Sequence, residues 1–398
     1  MEIRREIIWE NRSGKGTSWF HPRCCGLGDG RIFMSLQSIS GSDFYGEIRE
    51  SIFDGERWSA PAAIPGLGWR TCRENTSEGV CDVVPYHHAP TDTVLAIGHN
   101  VYYRNGALFD TLGDWGDRPE VTWFRFPVWS VRSAAGEWGP VRRKLVVPGM
   151  EKAPSYSCGS SQWFFKGKDQ VYIPLTYGEP GRRDRMVCST RFAYDGKELV
   201  FEERGNTLEL PVDRGLLEPS IVAVGGRVLM TIRAEDGRGY RSESADGLHW
   251  EPAKPWTFDD GEMPEMSSTQ QHFLVCGGKL YLVYTRNAGY NAHVTRFRAP
   301  LFIAEINDRL ELIRESEMIV FPLLDKGEHA AGMGNFQAVP VSENEAVVTV
   351  GEERWYDGYR GNTLLAWITS APPRREGPGG TPQSSSLSRG GLTPEGRA

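Results

Sequence analysis

Between Gly215 and Trp250 the chain reads GLLEPSIVAVGGRVLMTIRAEDGRGYRSESADGLHW. SIVAV and RVLMTI are short runs rich in branched and apolar side chains, and the Gly225-Gly226 pair between them supplies the positive φ angles of a tight hairpin turn. A third strand follows and closes on Gly and Trp. The same unit recurs along the chain. CGLGDGRIFMSLQ to FDGERW covers Cys25 to Trp58, and DVVPYHHAPTDTVLAIGHN to AAGEW covers Asp82 to Trp138. SQWFFKGKDQVYIPLTY to AYDGKELVF covers Ser161 to Phe201, and HFLVCGGKLYLVYTR to APLFIAEI covers His272 to Ile306. FQAVPVSENEAVVTVGE to TLLAWI, Phe336 to Ile368, completes the set. Six strand meanders, each too small to bury its own faces, predict an all-β, six-bladed propeller over residues 1–370. REIIWE at the N-terminus is expected to add an outer strand that closes the ring.

Composition agrees with that reading. The 398 residues include 46 Gly and 25 Pro, punctuation too frequent for a helical bundle. Residues 371–398 hold almost no apolar side chain, cannot offset ordering entropy by burial, and are expected to form a disordered tail. No run approaches the roughly 18 apolar residues of a membrane span, and MEIRREIIWE carries charges where a signal peptide has its apolar region, so a cytoplasmic protein is expected. A formal charge of −7 with both signs interspersed offers no basic field to a nucleic acid. Seven cysteines, an odd number without framework spacing, read as reduced thiols. Thirteen Trp among abundant aromatics are suited to stacking on sugar faces.

SADGLHW, Ser244 to Trp250, resembles the Asp-box turn of the bacterial-neuraminidase repeat. EPSIVAVGGRVLMTIR is similar to the sialidase blade in which a Glu opens the innermost strand and an Arg ends the next, places taken by Glu218 and Arg233. FHPRCCGLGDGRIFMSLQ looks like the opening sialidase blade and puts Arg23 in an arginine triad, while RFRAPLFIAEI supplies Arg298 as its third member. SISGSDFYG corresponds to the loop that carries the sialidase acid/base, here Asp43. The resemblance to the sialidase superfamily implies an enzyme cleaving a glycosidic bond beside a carboxylated sugar. One departure is plain: where sialidases carry a nucleophilic Tyr, the chain reads GMGNFQAV, with Asn335 and Phe336.

In a propeller blade the first strand starts and the second strand ends at one face of the channel. Those positions hold His21, Arg23 and Gln37; Asp82, His99 and Asn100; Gln162 and Tyr177; Glu218 and Arg233; Gln271, His272 and Arg286; Asn335 and Glu352. Third-strand starts add Arg298 and Arg360. A ring so rich in Arg, His and carboxylate is costly unless its charges pair or bind something. Arg23, Arg233 and Arg298 present planar cationic forks suited to the carboxylate of a sialic or uronic acid. His21, Asp82, Tyr177, Gln271, Arg286 and Glu352 join them as substrate-binding candidates. Asp43, Glu218, His99 and His272 are the catalytic candidates.

Two enzymatic readings stand beside a non-catalytic sugar-binding one. In a hydrolase Asp43 protonates the leaving oxygen and Glu218 acts on water or assists a nucleophile. In a lyase His99 or His272 takes the proton beside a uronate carboxylate that Arg neutralises, and Tyr177 or Tyr102 protonates the leaving oxygen. Cys72, Cys81, His87 and His88 fit no tight metal-ligand spacing, so no metal or cofactor is expected, and the expected partner is an acidic oligosaccharide or glycoside.

Overall fold

The computed structural model describes residues 1–73, 75–109, 124–151, 153–325 and 327–370. The expected tail, 371–398, lies outside them. Six antiparallel sheets form the blades of a six-bladed β-propeller. No α-helix occurs among the described residues, and none of their helices is long and apolar enough to cross a membrane.

Blade 1 runs through Trp19–Gly26, Ile32–Gly41 and Arg49–Phe53, and blade 2 through Thr76–His88, Thr93–Arg104 and Pro127–Arg132. Blade 3 is built on Gln170–Gly178 and Met186–Tyr194; blade 4 on Leu217–Val224, Arg227–Arg233 and Gly239–Ser244; blade 5 on His272–Cys276, Lys279–Thr285 and Leu301–Glu305. Blade 6 combines Phe336–Pro340, Glu345–Gly351 and Thr363–Thr369 with Glu2–Trp9 from the other end of the chain. That last pairing is the closure expected of REIIWE. Blade 3 departs from its expected start at Ser161: its inner edge is split into Ser155–Ser157 and Phe164–Lys166, both paired with Gln170–Gly178.

A blade's two faces are apolar because each meets a neighbour. The buried apolar side chains accordingly fall into a separate cluster at every junction. Cys25, Phe33 and Ile48 meet Val80, Val83 and Val94 between blades 1 and 2, and Trp129 meets Trp163 and Ile173 between blades 2 and 3. Further clusters join blades 3 and 4, 4 and 5, and 5 and 6. Met34 and Leu36 against Val347 and Leu365 join blade 6 back to blade 1. All seven cysteines are free thiols and six are buried in this packing.

The turn at SADGLHW stitches two blades. Ser244 Oγ and Asp246 Oδ1 accept from the backbone amides of the turn, Leu248 and His249 at 2.8 Å among them, which holds the loop closed without strand partners. Trp250, buried, then donates from Nε1 to Ser189 Oγ of blade 3 at 2.8 Å. Its own amide donates to Asn206 Oδ1 at 2.7 Å. Trp250→Ala should therefore lower stability by about 3–5 kcal/mol, through lost burial and the lost hydrogen bond to Ser189. Urea denaturation is the measure; a loss below 1 kcal/mol would show that the blade junction does not depend on this ring.

Candidate active site

At one end of the channel the blades enclose a cavity of about 340 Å³, a size that suits a small polar ligand. Three of its side chains owe their direction to the same backbone device. The inner strands of blades 1, 2 and 4 each lose register by a bulge, between Phe20 and Arg23, Cys81 and Val84, and Leu217 and Ser220. Inside these bulges His21, Asp82 and Glu218 adopt φ of 48°, 53° and 45°. An extra residue in the left-handed region turns a side chain that the strand would have sent sideways into the channel. Asp43, Ser160 and Arg296, also cavity-lining, take φ of 49°, 62° and 55°. Such conformations cost about 1–3 kcal/mol each for residues other than glycine and cluster where geometry serves function.

Among the described residues the lining holds six arginines, at 125, 185, 214, 233, 296 and 298, against four carboxylates, Asp43, Asp82, Glu218 and Glu353. The cavity is therefore cationic before its histidines are considered. Arg233 donates to Glu218 Oε1 at 2.7 Å and Arg298 to Glu353 Oε2 at 2.9 Å. Arg214 is paired with Glu235, whose carboxyl is held at about 2 chiefly by that hydrogen bond, against the effect of burial. On the opposite wall Tyr45 donates its hydroxyl to Asp43 Oδ1 at 2.8 Å. Burial and the neighbouring Asp43 and Asp82 push the Tyr45 phenol well up, so it stays a proton donor.

His21 Nε2 lies 3.4 Å from Asp82 Oδ1 and Arg23 donates to the same oxygen at 3.0 Å. Burial pulls His21 down to about 4, Asp82 opposing and Arg23 adding to the effect. His21 is uncharged at neutral pH; burial works against the charge of Asp82, but His21, Arg23 and His99 together hold its carboxyl at about 2. His99 is likewise lowered, first by burial. It fits because residue 159 is glycine: a Cβ there would stand 2.1 Å from His99 Nδ1. Its Nε2 lies 3.1 Å from Cys81 Sγ. Cys81, Asp82 and His99 thus gather a thiol, a carboxylate and an imidazole within 4.8 Å. Two features oppose a cation there: Arg23 already occupies Asp82, and burial followed by Asp82's charge pushes the Cys81 thiol well up.

Of the positions singled out in the sequence, His21, Asp43, Asp82, His99, Glu218, Arg233, Arg298 and Asn335 line this cavity. Arg23, Gln162 and His272 lie beneath it as a floor. Gln162 Nε2 donates to the carbonyls of Phe273 and Ala338 at 2.7 and 2.8 Å, and His272 bridges Ser220 Oγ and the Phe336 carbonyl. His272, wholly buried and held well below the usual imidazole range by burial, has no face on the cavity. Gln271 is buried against Thr231, and Gln37 is buried as well. Arg286 is spent on Glu317 and Tyr177 on Thr207. Asn100 and Tyr102 bond the backbone near Phe124, and Arg360 stays with Asp357. Glu352 is buried against Arg12 at 2.5 Å; the cavity takes its neighbour Glu353.

Sequence reasoning missed Arg125, Arg185, Arg214 and Arg296 because they sit in connections where strand periodicity gives no direction. Charge was the available signal: DRGLLEP holds Arg214 four residues before Glu218, and RFRAP holds Arg296 two before Arg298. Tyr45, two residues beyond Asp43, was open to the same local reading.

No family model matches the chain, and no curated protein matches it. Solved structures do. It is similar to the Hadza microbial sialidase Hz136 at 9% identity and TM-score 0.60, covering 92% of this chain and 68% of that one. It is similar to Trypanosoma rangeli sialidase in complex with sialic acid at 13% identity and TM-score 0.59, over 92% of this chain and 59% of the sialidase, so it spans well under two thirds of that protein. A protein of unknown function from Dyadobacter fermentans aligns over 92% of this chain and 99% of its own, with TM-score 0.61 and 14% identity. The chain is a sialidase-like six-bladed propeller.

The buried histidines set a pH signature. Unfolded, His21 and His272 would titrate near 6.5; folded, His21 titrates at about 4 and His272 well below 6.5. As pH falls from about 6.5 toward 4 the unfolded chain takes up protons that the folded chain refuses. Stability should fall in that window by up to about 1.4 kcal/mol per pH unit for each histidine, and be fully present above it. The Asp82 contribution, with its folded value at about 2, is lost only below the usual carboxylate range. Urea midpoints at pH 7.0, 5.5 and 4.5 test this: His21→Gln should flatten the slope, and a midpoint unchanged between pH 7.0 and 4.5 would refute it.

Proposed function

We propose that the protein is a carbohydrate-active enzyme, a glycoside hydrolase of the sialidase-like type that grips an acidic sugar, sialic or uronic, by its carboxylate. The observation that carries this reading is the excess of guanidinium over carboxylate around the cavity. Permanently charged forks facing a small concave space make a site for a planar anion. Arg298 is seated on Glu353, which leaves further donors for a ligand, and Arg233, fixed by Glu218, Glu235 and Ser268, keeps one N–H on Nη1 for it. Asp43 lies across the cavity with one oxygen occupied by Tyr45; its second oxygen is the proton donor to the leaving group. Glu218, fixed by Arg233, acts on water or supports a nucleophile.

One observation favours elimination as a second reading. His21 and His99 are neutral imidazoles at pH 7, and Tyr45 is a protonated phenol beside them, so a base and an acid both face the cavity. A panel of acidic oligosaccharides read by mass spectrometry separates the readings. Gain of water means hydrolysis, and unsaturated products mean elimination. Absence of turnover with retained binding would leave a sugar-binding propeller.

Arg233→Ala or Arg298→Ala should weaken carboxylated ligands by tens to several hundredfold relative to their amide analogues, about 2–4 kcal/mol for a charge-assisted contact. Equal losses for charged and neutral ligands would make these arginines structural. Asp43→Asn should abolish hydrolysis of poor leaving groups and spare activated aryl glycosides, since only the former need a proton in the transition state. Uniform loss on both substrates would remove Asp43 from the acid role.

A further inference from the structure

Followed around the ring, the cavity's cations divide into two poles on either side of a centre. Arg214 and Arg233 form the centre, seated on Glu235 and Glu218. Toward blade 5, Arg298 keeps Glu353, and Arg296, exposed at the mouth, has no acidic partner among the described residues. Toward blade 2, Arg125 lines the cavity with a buried Nε that makes no hydrogen bond, and it too has no acidic partner among the described residues. Arg185 of blade 3 lines the cavity on the same side. In a six-membered ring blades 2 and 5 are three steps apart and face each other across the channel.

The electrostatics follow the same division. Arg185 is lowered to about 10, first by burial and then by Arg214, Arg125 and Arg233, with Glu218 opposing. Arg296 is lowered by burial of part of its side chain and then by Arg298, Arg233 and Arg214. The cations common to both are the two already seated on carboxylates; Arg125 acts on one pole and Arg298 on the other. A guanidinium fork takes its anion at hydrogen-bond distance, so cations on facing walls are served by separate anions better than by one.

Resting on the acidic-sugar reading above, we propose that the ligand is a glycan unit bearing two anionic groups on adjacent sugars, one held by Arg298 with Arg233 and Arg296 and the other by Arg125 and Arg185. Carboxylate and sulfate share the chemistry that these forks recognise. Charge on the second sugar thereby becomes a determinant of specificity.

Calorimetric binding at a fixed ionic strength of about 0.15 M, which keeps screening constant, tests this with two ligand pairs. Digalacturonate is compared with its mono-methyl ester, and a 6-sulfated chondroitin disaccharide with its unsulfated form. Each doubly charged ligand should bind the wild type about tenfold tighter than its singly charged counterpart, the scale of one added charge-assisted contact. A preference in the first pair alone identifies carboxylate as the second group, and in the second pair alone sulfate. Arg125→Gln should reduce that ratio to near one, whereas Arg298→Gln should weaken all four ligands. Arg125→Lys, which keeps the charge and loses the fork, should retain part of the preference and serves if the glutamine variant fails to fold. A wild-type ratio near one in both pairs, or a ratio unchanged by Arg125→Gln, would overturn the proposal while leaving the single-carboxylate reading intact. Failure of every acidic sugar to bind would overturn that reading and the proposal with it.

Discussion

Arg23 carries a permanent charge that water does not reach: none of its surface is exposed. Isolated, such a charge would cost many kcal/mol, so its surroundings must answer it. The guanidinium donates to the Phe336 carbonyl of blade 6, to Gln270 before blade 5, and to Asp82 of blade 2. The same Phe336 carbonyl accepts from Gln270 and lies 3.1 Å from His272 Nε2. One cation thus ties four blades at the level where the channel would otherwise stay open, and the floor of the cavity is the result. The demand for a counter-charge also fixes the site. Asp82 must point inward and stay ionised, and it can do so only because its strand bulges at that residue.

The same bulge recurs in blades 1 and 4, and the three residues it redirects are His21, Asp82 and Glu218. A regular strand alternates its side chains between the two packed faces of a blade, neither of which is the channel. Chemistry at the channel therefore requires a break in the ladder, and left-handed residues are the local means. Their unfavourable backbone is offset by contacts outside the ladder: Glu218 N, for instance, donates to Thr176 Oγ1 at 2.8 Å.

That logic also explains what was legible beforehand. The blades could be read because two-residue alternation and Gly-rich turns repeat six times, and the closing strand because REIIWE carries the same pattern. Strand starts and ends pointed to one end of the channel but carried no information about depth. Arg23, Gln162 and His272 satisfy the rule and form the floor. Parity was the second gap: Glu352 and Glu353 differ by one residue, and the first turns to Arg12 while the second turns to the cavity. Arg286, one position past the end of Lys279–Thr285, turns to Glu317 by the same alternation. Connections between strands have no period at all, which is why Arg125 and Arg185 within blades 2 and 3, and Arg214 between blades 3 and 4, carried no signal beyond their charge.

The cavity is polarised in a way that bears on chemistry. Its proton-handling groups, His21, Asp43, Tyr45, Asp82 and His99, come from blades 1 and 2, while five of its six arginines come from blade 3 through blade 5 and the segments joining them. A ligand anchored through an anion on the arginine side presents its remaining atoms to the proton-handling side. Those groups are linked to one another: Tyr45 bonds Asp43, the rings of Tyr45 and His21 are 4.8 Å apart, and His21 meets the oxygen of Asp82 that Arg23 holds. Burial keeps both imidazoles of this wall neutral and the phenol protonated. That arrangement exists because one buried arginine beneath the cavity lets an ionised Asp82 stand among neutral neighbours.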